Sequence, residues 1–148
     1  MILMFCAEKQ MRCGTSSKMH LENQSTVYAK DEYISYQKAK AFTSKNPFFI
    51  VFMQPSYVSL FFVLSIPLRF AKDYLSIEEG ARRWCKLSLC VEGKRGRERK
   101  VICRIQSANA KVSSGWKEFV KENCLKVGDV CVFELEAKNA FKVIIYRA

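Results

Sequence analysis

Between Pro47 and Leu68 the chain carries no charged residue, and this uncharged run limits what the chain can fold into more than any other feature. Its length meets the requirement for a membrane-spanning helix. Its local chemistry does not. Pro47, Pro55 and Pro67 punctuate it, and Gln54-Pro55-Ser56 sits at its middle. Proline removes a backbone donor and clashes with the preceding helical turn. Phe48 to Met53 and Leu60 to Ile66 are rich in the aromatic and branched side chains that pack well on a pleated surface. The run therefore predicts two buried strands joined by a polar link, and no membrane partner.

Downstream, a period of two recurs. In Trp84 to Val91 the residues Cys85, Leu87, Leu89 and Val91 share one face, and Trp84, Lys86, Ser88 and Cys90 the other. Val101, Cys103 and Ile105 repeat the pattern, and the segment 92–98 between them has two glycines and solvated charges suited to a hairpin. Val130 to Glu136 and Phe141 to Arg147 predict two further strands linked through Asn139, and Ala110 to Ser113 a short one. Two helices are expected. One has Pro67 as its first residue and the pairs Phe70/Tyr74 and Ala71/Leu75 at i,i+4 spacing. The other follows Ser113-Ser114, where a serine can cap free N–H groups, buries Trp116, Phe119, Val120 and Cys124, and stops at Asn123. Many short strands with few helices imply a mainly β chain, an antiparallel barrel or curled sheet closed at its ends by helices.

A chain of 148 residues with 49% apolar content supports one hydrophobic core. Residues 1–45 show no sustained period and are expected to be a flexible N-terminal tail or linker remnant, with a short helix over 27–42 as an option. The net charge is +11, of which residues 46–148 contribute +8 from 18 bases and 10 acids, and it favours a polyanionic partner. Seven cysteines, an odd number, and no visible secretion signal predict a reduced intracellular protein.

Two stretches carry a family resemblance. The first runs from Asn46-Pro47-Phe48-Phe49-Ile50-Val51-Phe52 through Gln54-Pro55-Ser56-Tyr57-Val58 to Ile66-Pro67-Leu68-Arg69-Phe70-Ala71-Lys72. The second is Ser114-Gly115-Trp116-Lys117-Glu118-Phe119-Val120, followed by Leu125-Lys126-Val127-Gly128-Asp129-Val130 and the strand to Leu135. Together they resemble the plant B3 DNA-binding domain, nearest its reproductive-meristem and vernalization branch, over residues 46–148. The resemblance implies a seven-stranded open antiparallel pseudo-barrel with two short helices. It also implies a nuclear, DNA-binding transcription regulator that grips the major groove of double-stranded DNA with two arms; from the neutral amide at Asn109 we expect weak sequence preference.

Carried onto this chain, the first arm is the segment 54–59, with Ser56 and Tyr57 as candidate contacts. The second is 107–111, with Ser107, Asn109 and Lys111; Arg104, Ser114 and Lys117 flank it. Arginine and asparagine can read base edges, and lysine, serine and a helix N-terminus can hold phosphates. Members of the branch often carry a base where Asn109 stands, and a small polar residue where Leu68 stands. The cluster Lys94, Arg95, Arg97, Arg99 and Lys100 has two readings, a nuclear-localisation or phosphate-contacting signal and ordinary charged protection of a sheet edge.

Other chemistries find few residues. The single histidine, His20, lies in the expected tail, so no histidine-based nucleophile or base is expected within the fold. Cys85, Cys90, Cys103, Cys124 and Cys131 form no C-x-x-C pair and fit small buried hydrophobes better than metal ligands. A nuclease would need a carboxylate cluster beside a lysine, which Asp73, Glu78, Glu79, Asp129, Glu134 and Glu136 do not form in sequence. No enzyme activity, cofactor or small-molecule substrate is expected. The alternative function is a B3-fold protein-interaction module with little DNA affinity, and further B3 domains or other proteins are candidate partners.

Overall fold

The structure is a computed structural model that describes residues 33–80, 82–94 and 96–148, together with the backbone of residues 2–5 and 10–12. Arg95 and most of the stretch expected to be a tail lie outside the described residues. The described strands are β1 (Ile2–Phe5), β2 (Gln10–Arg12), β3 (Phe48–Phe52), β4 (Leu64–Ile66), β5 (Trp84–Val91), β6 (Arg99–Ile105), β7 (Ala110–Val112), β8 (Val130–Ala137) and β9 (Ala140–Tyr146). Three short helices accompany them: α1 (Ile34–Lys40), α2 (Leu68–Tyr74) and α3 (Trp116–Glu122). None of the described helices is long and apolar enough to cross a membrane.

All nine strands join one sheet in the order β2-β1-β3-β8-β9-β5-β6-β7-β4. The seven from β3 to β4 form a nearly closed barrel, as expected, but the sheet is mixed and not wholly antiparallel. β5 and β9 run parallel from Ser88 opposite Ala140 to Val91 opposite Val143. The cause is local. A tight turn with Asn139 in the left-handed region (φ 51°) folds β9 back along β8. That fixes the direction in which the free edge of β9 meets β5, and the long stretch 92–139 between the two strands supplies the crossover a parallel pair needs.

The uncharged run folds as two strands separated by something other than the expected link. Pro55 is already helical (φ −55°, ψ −38°), a π-helical turn follows at Ser56–Leu60, and β4 is cut down to Leu64–Ile66. Pro67 stays extended (ψ 122°), so it precedes α2 and is not its first residue. Leu68 opens that helix half-buried against the core.

β3 is buried along its whole length because both of its faces are covered. Phe49 and Val51 point into the barrel, where Phe49 stacks on Phe133 at 5.0 Å and meets Phe70 edge-on at 4.9 Å. Phe48, Ile50 and Phe52 point outward with Val130, Val132 and Ile144, and α1 covers them through Tyr36 and Ala39. Phe42 packs edge-on against Phe48 (4.8 Å) and Tyr33 against Phe52 (5.5 Å), while buried Ser35 Oγ donates to the Gly128 carbonyl at 2.8 Å. Residues 33–42 were expected within a flexible tail. Instead they supply the second wall of a strand that has no polar face to show to water.

The connection after α1 is tied to β8 by Glu134. This nearly buried carboxylate accepts from Ser44 Oγ, from Asn46 Nδ2 (3.1 Å) and from Lys142 Nζ (3.3 Å). Burial pushes its pKa up, but the hydrogen bonds and the Lys142 charge outweigh that and leave it lowered. A carboxyl with a depressed folded pKa adds stability that is present above its unfolded value, about 4.3, and is lost as pH falls through the folded one. Thermal stability should therefore fall on acidification below pH about 4, and Glu134→Gln should flatten that fall while costing about 1–3 kcal/mol at neutral pH. Melting curves across pH check both; an unchanged acid limb in Glu134→Gln would remove Glu134 from the explanation.

Candidate nucleic-acid interface

Four strands line up one residue each across the outside of the barrel. Ser65 of β4 faces Lys111 of β7, Lys111 faces Arg104 of β6, and Arg104 faces Trp84 of β5. Their strand neighbours Leu64, Ile66, Ala110, Val112, Cys103, Ile105 and Cys85 are all buried, so strand alternation puts these four on the opposite, solvent-facing side. Strands spaced about 4.8 Å apart make this a row about 14 Å long. Lys111 Nζ donates to Ser65 Oγ at 3.4 Å. Arg104 and Lys111 are exposed, and neither forms a salt bridge among the described residues. No acid occurs from Gln54 to Lys72 or from Arg99 to Lys117, the segments that carry Ser65, Lys111 and Arg104, whereas at its Trp84 end the row meets Glu78, whose backbone N donates to the Trp84 carbonyl at 2.8 Å.

A loop flanks each end of the β4–β7 ladder. Beyond Ile66 and Ala110 lies the second arm, a turn in which Gln106 N donates to the Asn109 carbonyl at 2.8 Å. Ser107 is exposed there. Asn109 is half-buried, and its Oδ1 is buried with no hydrogen-bond partner among the described residues. Beyond Leu64 lies the loop 54–63, whose first part, 54–59, is the first arm. It is pinned to α3 by the buried indole of Trp116, which donates to the Tyr57 carbonyl at 2.9 Å. Lys117 Nζ sits over the Phe62 ring, 5.2 Å from its centre, where Phe62 holds a left-handed φ of 53°.

Tyr57 itself cannot be a surface contact. It is 6% exposed, burial pushes its phenol pKa up, and its hydroxyl is engaged by Ser65 and Gln54. It supports the arm from inside. Ser56 is half-buried, Ser59 is the exposed residue of the first arm, and Leu60 and Phe61 directly after it in the same loop are exposed as well. Ser114 is exposed but does not cap α3: no side chain does, and the capping position belongs to Gly115 at φ 88°. The Ser114 carbonyl instead accepts from Ile102 N at 2.9 Å, which binds the helix entry to β6.

The basic hairpin lies at the far end of the β5–β6 ladder from Trp84 and Arg104. Its bases are largely occupied. Arg99 pairs with Glu122, Lys100 with Glu98 at 3.2 Å, and Lys94 Nζ donates to Asn123 Oδ1 at 3.3 Å, while Arg97 is exposed. Trp84, Leu60 and Phe61 are surface residues that the sequence reading passed over. Trp84 showed one signal, an aromatic residue on the polar side of an alternating strand; the other two were hidden inside an apolar run.

A sequence model described as the B3 DNA binding domain matches residues 48–148. The B3 domain-containing transcription factor VRN1 of Arabidopsis thaliana is 38% identical over 124 residues, covering 82% of this chain and 34% of that protein. A rice B3 domain-containing protein is 37% identical over 112 residues, covering 75% of this chain and 26% of its own length. The chain thus spans about a third or less of these relatives. Among solved structures, the Arabidopsis thaliana protein At1g16640.1 superposes with a TM-score of 0.53 at 25% identity, covering 68% of this chain and 89% of that one. The Arabidopsis FUS3–DNA complex superposes with a TM-score of 0.54 at 14% identity, covering 67% and 95%. At that identity the likeness concerns the fold.

Proposed function

This chain belongs to the B3 DNA-binding domain family, and we propose that residues 46–148 bind double-stranded DNA in the nucleus as a transcription regulator, braced by residues 33–45. The observation that carries this reading is the row Ser65–Lys111–Arg104–Trp84 set between two loops. In it Arg104, Lys111 and Lys117 neutralise phosphates, and Ser107 and Asn109 of the second arm meet base edges in the major groove, with Ser56 and Ser114 at the margins. One amide and a few hydroxyls read few base pairs, so sequence preference is weak. The paired bases of the distant hairpin, Lys94, Arg99 and Lys100, are left for nuclear import or peripheral phosphate contact. No cofactor and no catalytic residue takes part in this role.

With one to three further bases reaching phosphates beside Arg104, Lys111 and Lys117, about four to six neutralised phosphates give a log–log slope of affinity against salt of about −4 to −5. Arg104→Ala with Lys111→Ala should reduce that slope by about 2 and weaken binding at least about tenfold at moderate salt, with the melting temperature held. An unchanged slope would move the contact surface elsewhere. The exposed pair Leu60 and Phe61 is the observation that favours the alternative, a protein-interaction module. Failure to bind any duplex at low salt would decide for it.

A further inference from the structure

We infer that Leu60 and Phe61, directly after the first arm in the loop 54–63, contact thymine methyl groups in the major groove and give the module a preference for T-bearing sites. This rests on the DNA-binding reading. Leu60 is 65% and Phe61 74% exposed, among the most exposed large apolar side chains described. A lone exposed apolar side chain is ordinary. Two adjacent ones on a held loop are a different case. The Trp116 indole bonds the Tyr57 carbonyl, Val63 N donates to the Ser56 carbonyl at 3.3 Å, and Lys117 covers the Phe62 ring. An apolar pair fixed in this way loses little conformational freedom on binding.

Charge selects the occupant. The loop has neither charge nor carboxylate, and Lys117 at its base and Lys111 beyond it attract a polyanion. In the major groove the apolar group that a polyanionic duplex presents is the C5-methyl of thymine. The loop has no cation or amide beyond Gln54 with which to read other base edges.

Fluorescence anisotropy with the full chain tests this on three duplexes of one sequence: with thymine, with every thymine replaced by uracil, and with uracil plus 5-methylcytosine for cytosine. Loss of the methyls should weaken binding about three- to tenfold, and 5-methylcytosine should recover part of it. Leu60→Ala with Phe61→Ala, both surface changes, should keep the melting temperature and bind the thymine and uracil duplexes equally. Equal binding of those two duplexes by the parent chain overturns the inference, as does a double variant that still discriminates between them. Absence of binding to any duplex at low salt would overturn the underlying DNA-binding reading instead, leaving a protein as the partner of Leu60 and Phe61.

Discussion

Trp116→Ala should cost about 3–5 kcal/mol of folding stability, the range for emptying a large aromatic site in a core. Trp116 is fully buried, stacks on Phe119 at 5.3 Å and lies 6.4 Å from Phe133, so its loss opens a cavity between α3 and the barrel. Against a total stability of about 5–15 kcal/mol, that is a large share. Chemical denaturation measures it, and a cost below about 1 kcal/mol would mean that the site collapses freely. Trp116→Phe separates packing from the hydrogen bond. It keeps most of the ring volume but removes the N–H that holds the Tyr57 carbonyl, at about 1–3 kcal/mol. If that bond positions the first arm, Trp116→Phe should also lower duplex affinity more than its small stability loss explains.

Gly115→Ala should cost more than about 2 kcal/mol, a large loss for the addition of one methyl group. Its φ of 88° lies in the left-handed region, where a side chain costs about 1–2 kcal/mol. A Cβ there would also overlap the Lys100 carbonyl oxygen and crowd Val101, both on β6, which is fixed between β5 and β7. Gly93 and Gly96 have the same sign of φ but open space around them. Gly93→Ala and Gly96→Ala should therefore carry only the conformational part. Equal costs at all three positions in urea denaturation would show that the close approach of Gly115 to β6 contributes nothing.

Period-two alternation made β5, β6, β8 and β9 legible in the sequence, because each has one face in the barrel and one outside it. The same logic failed for β3, where Phe48-Phe49-Ile50-Val51-Phe52 has no alternation to show. Its burial on both sides depends on α1, whose cue, Tyr36 with Ala39 and Tyr33, is spread over too few residues to raise a helical period above its polar surroundings. The π-helical turn was invisible for a related reason: Val58, Leu60 and Phe61 look like strand residues, and Pro55 alone marks the change. At the site, Lys111 and Arg104 enter through the resemblance, and in the structure both stand on the outer side of apolar strands. Tyr57 misled because a Pro-Ser-Tyr turn looks exposed in sequence, whereas its ring fills the space beneath the arm. The register that joins Ser65, Lys111, Arg104 and Trp84 belongs to the pairing of four separate strands, and no local pattern encodes it.

The cover that α1 places over the outer face of β3, β8 and β9 decides where this protein can be cut. A fragment beginning at the first residue of the family match, Phe48, would retain every barrel strand and both arms. It would also expose Phe48, Ile50, Phe52, Val130, Val132 and Ile144 as one contiguous greasy patch, the kind of surface through which soluble chains self-associate. A portable fragment must therefore reach back at least to Tyr33, and one that starts there still gives up β1, the strand paired with the edge of β3. Any fusion, swap or tandem arrangement that joins upstream of Phe48 but downstream of α1 carries an unsheathed sheet with it.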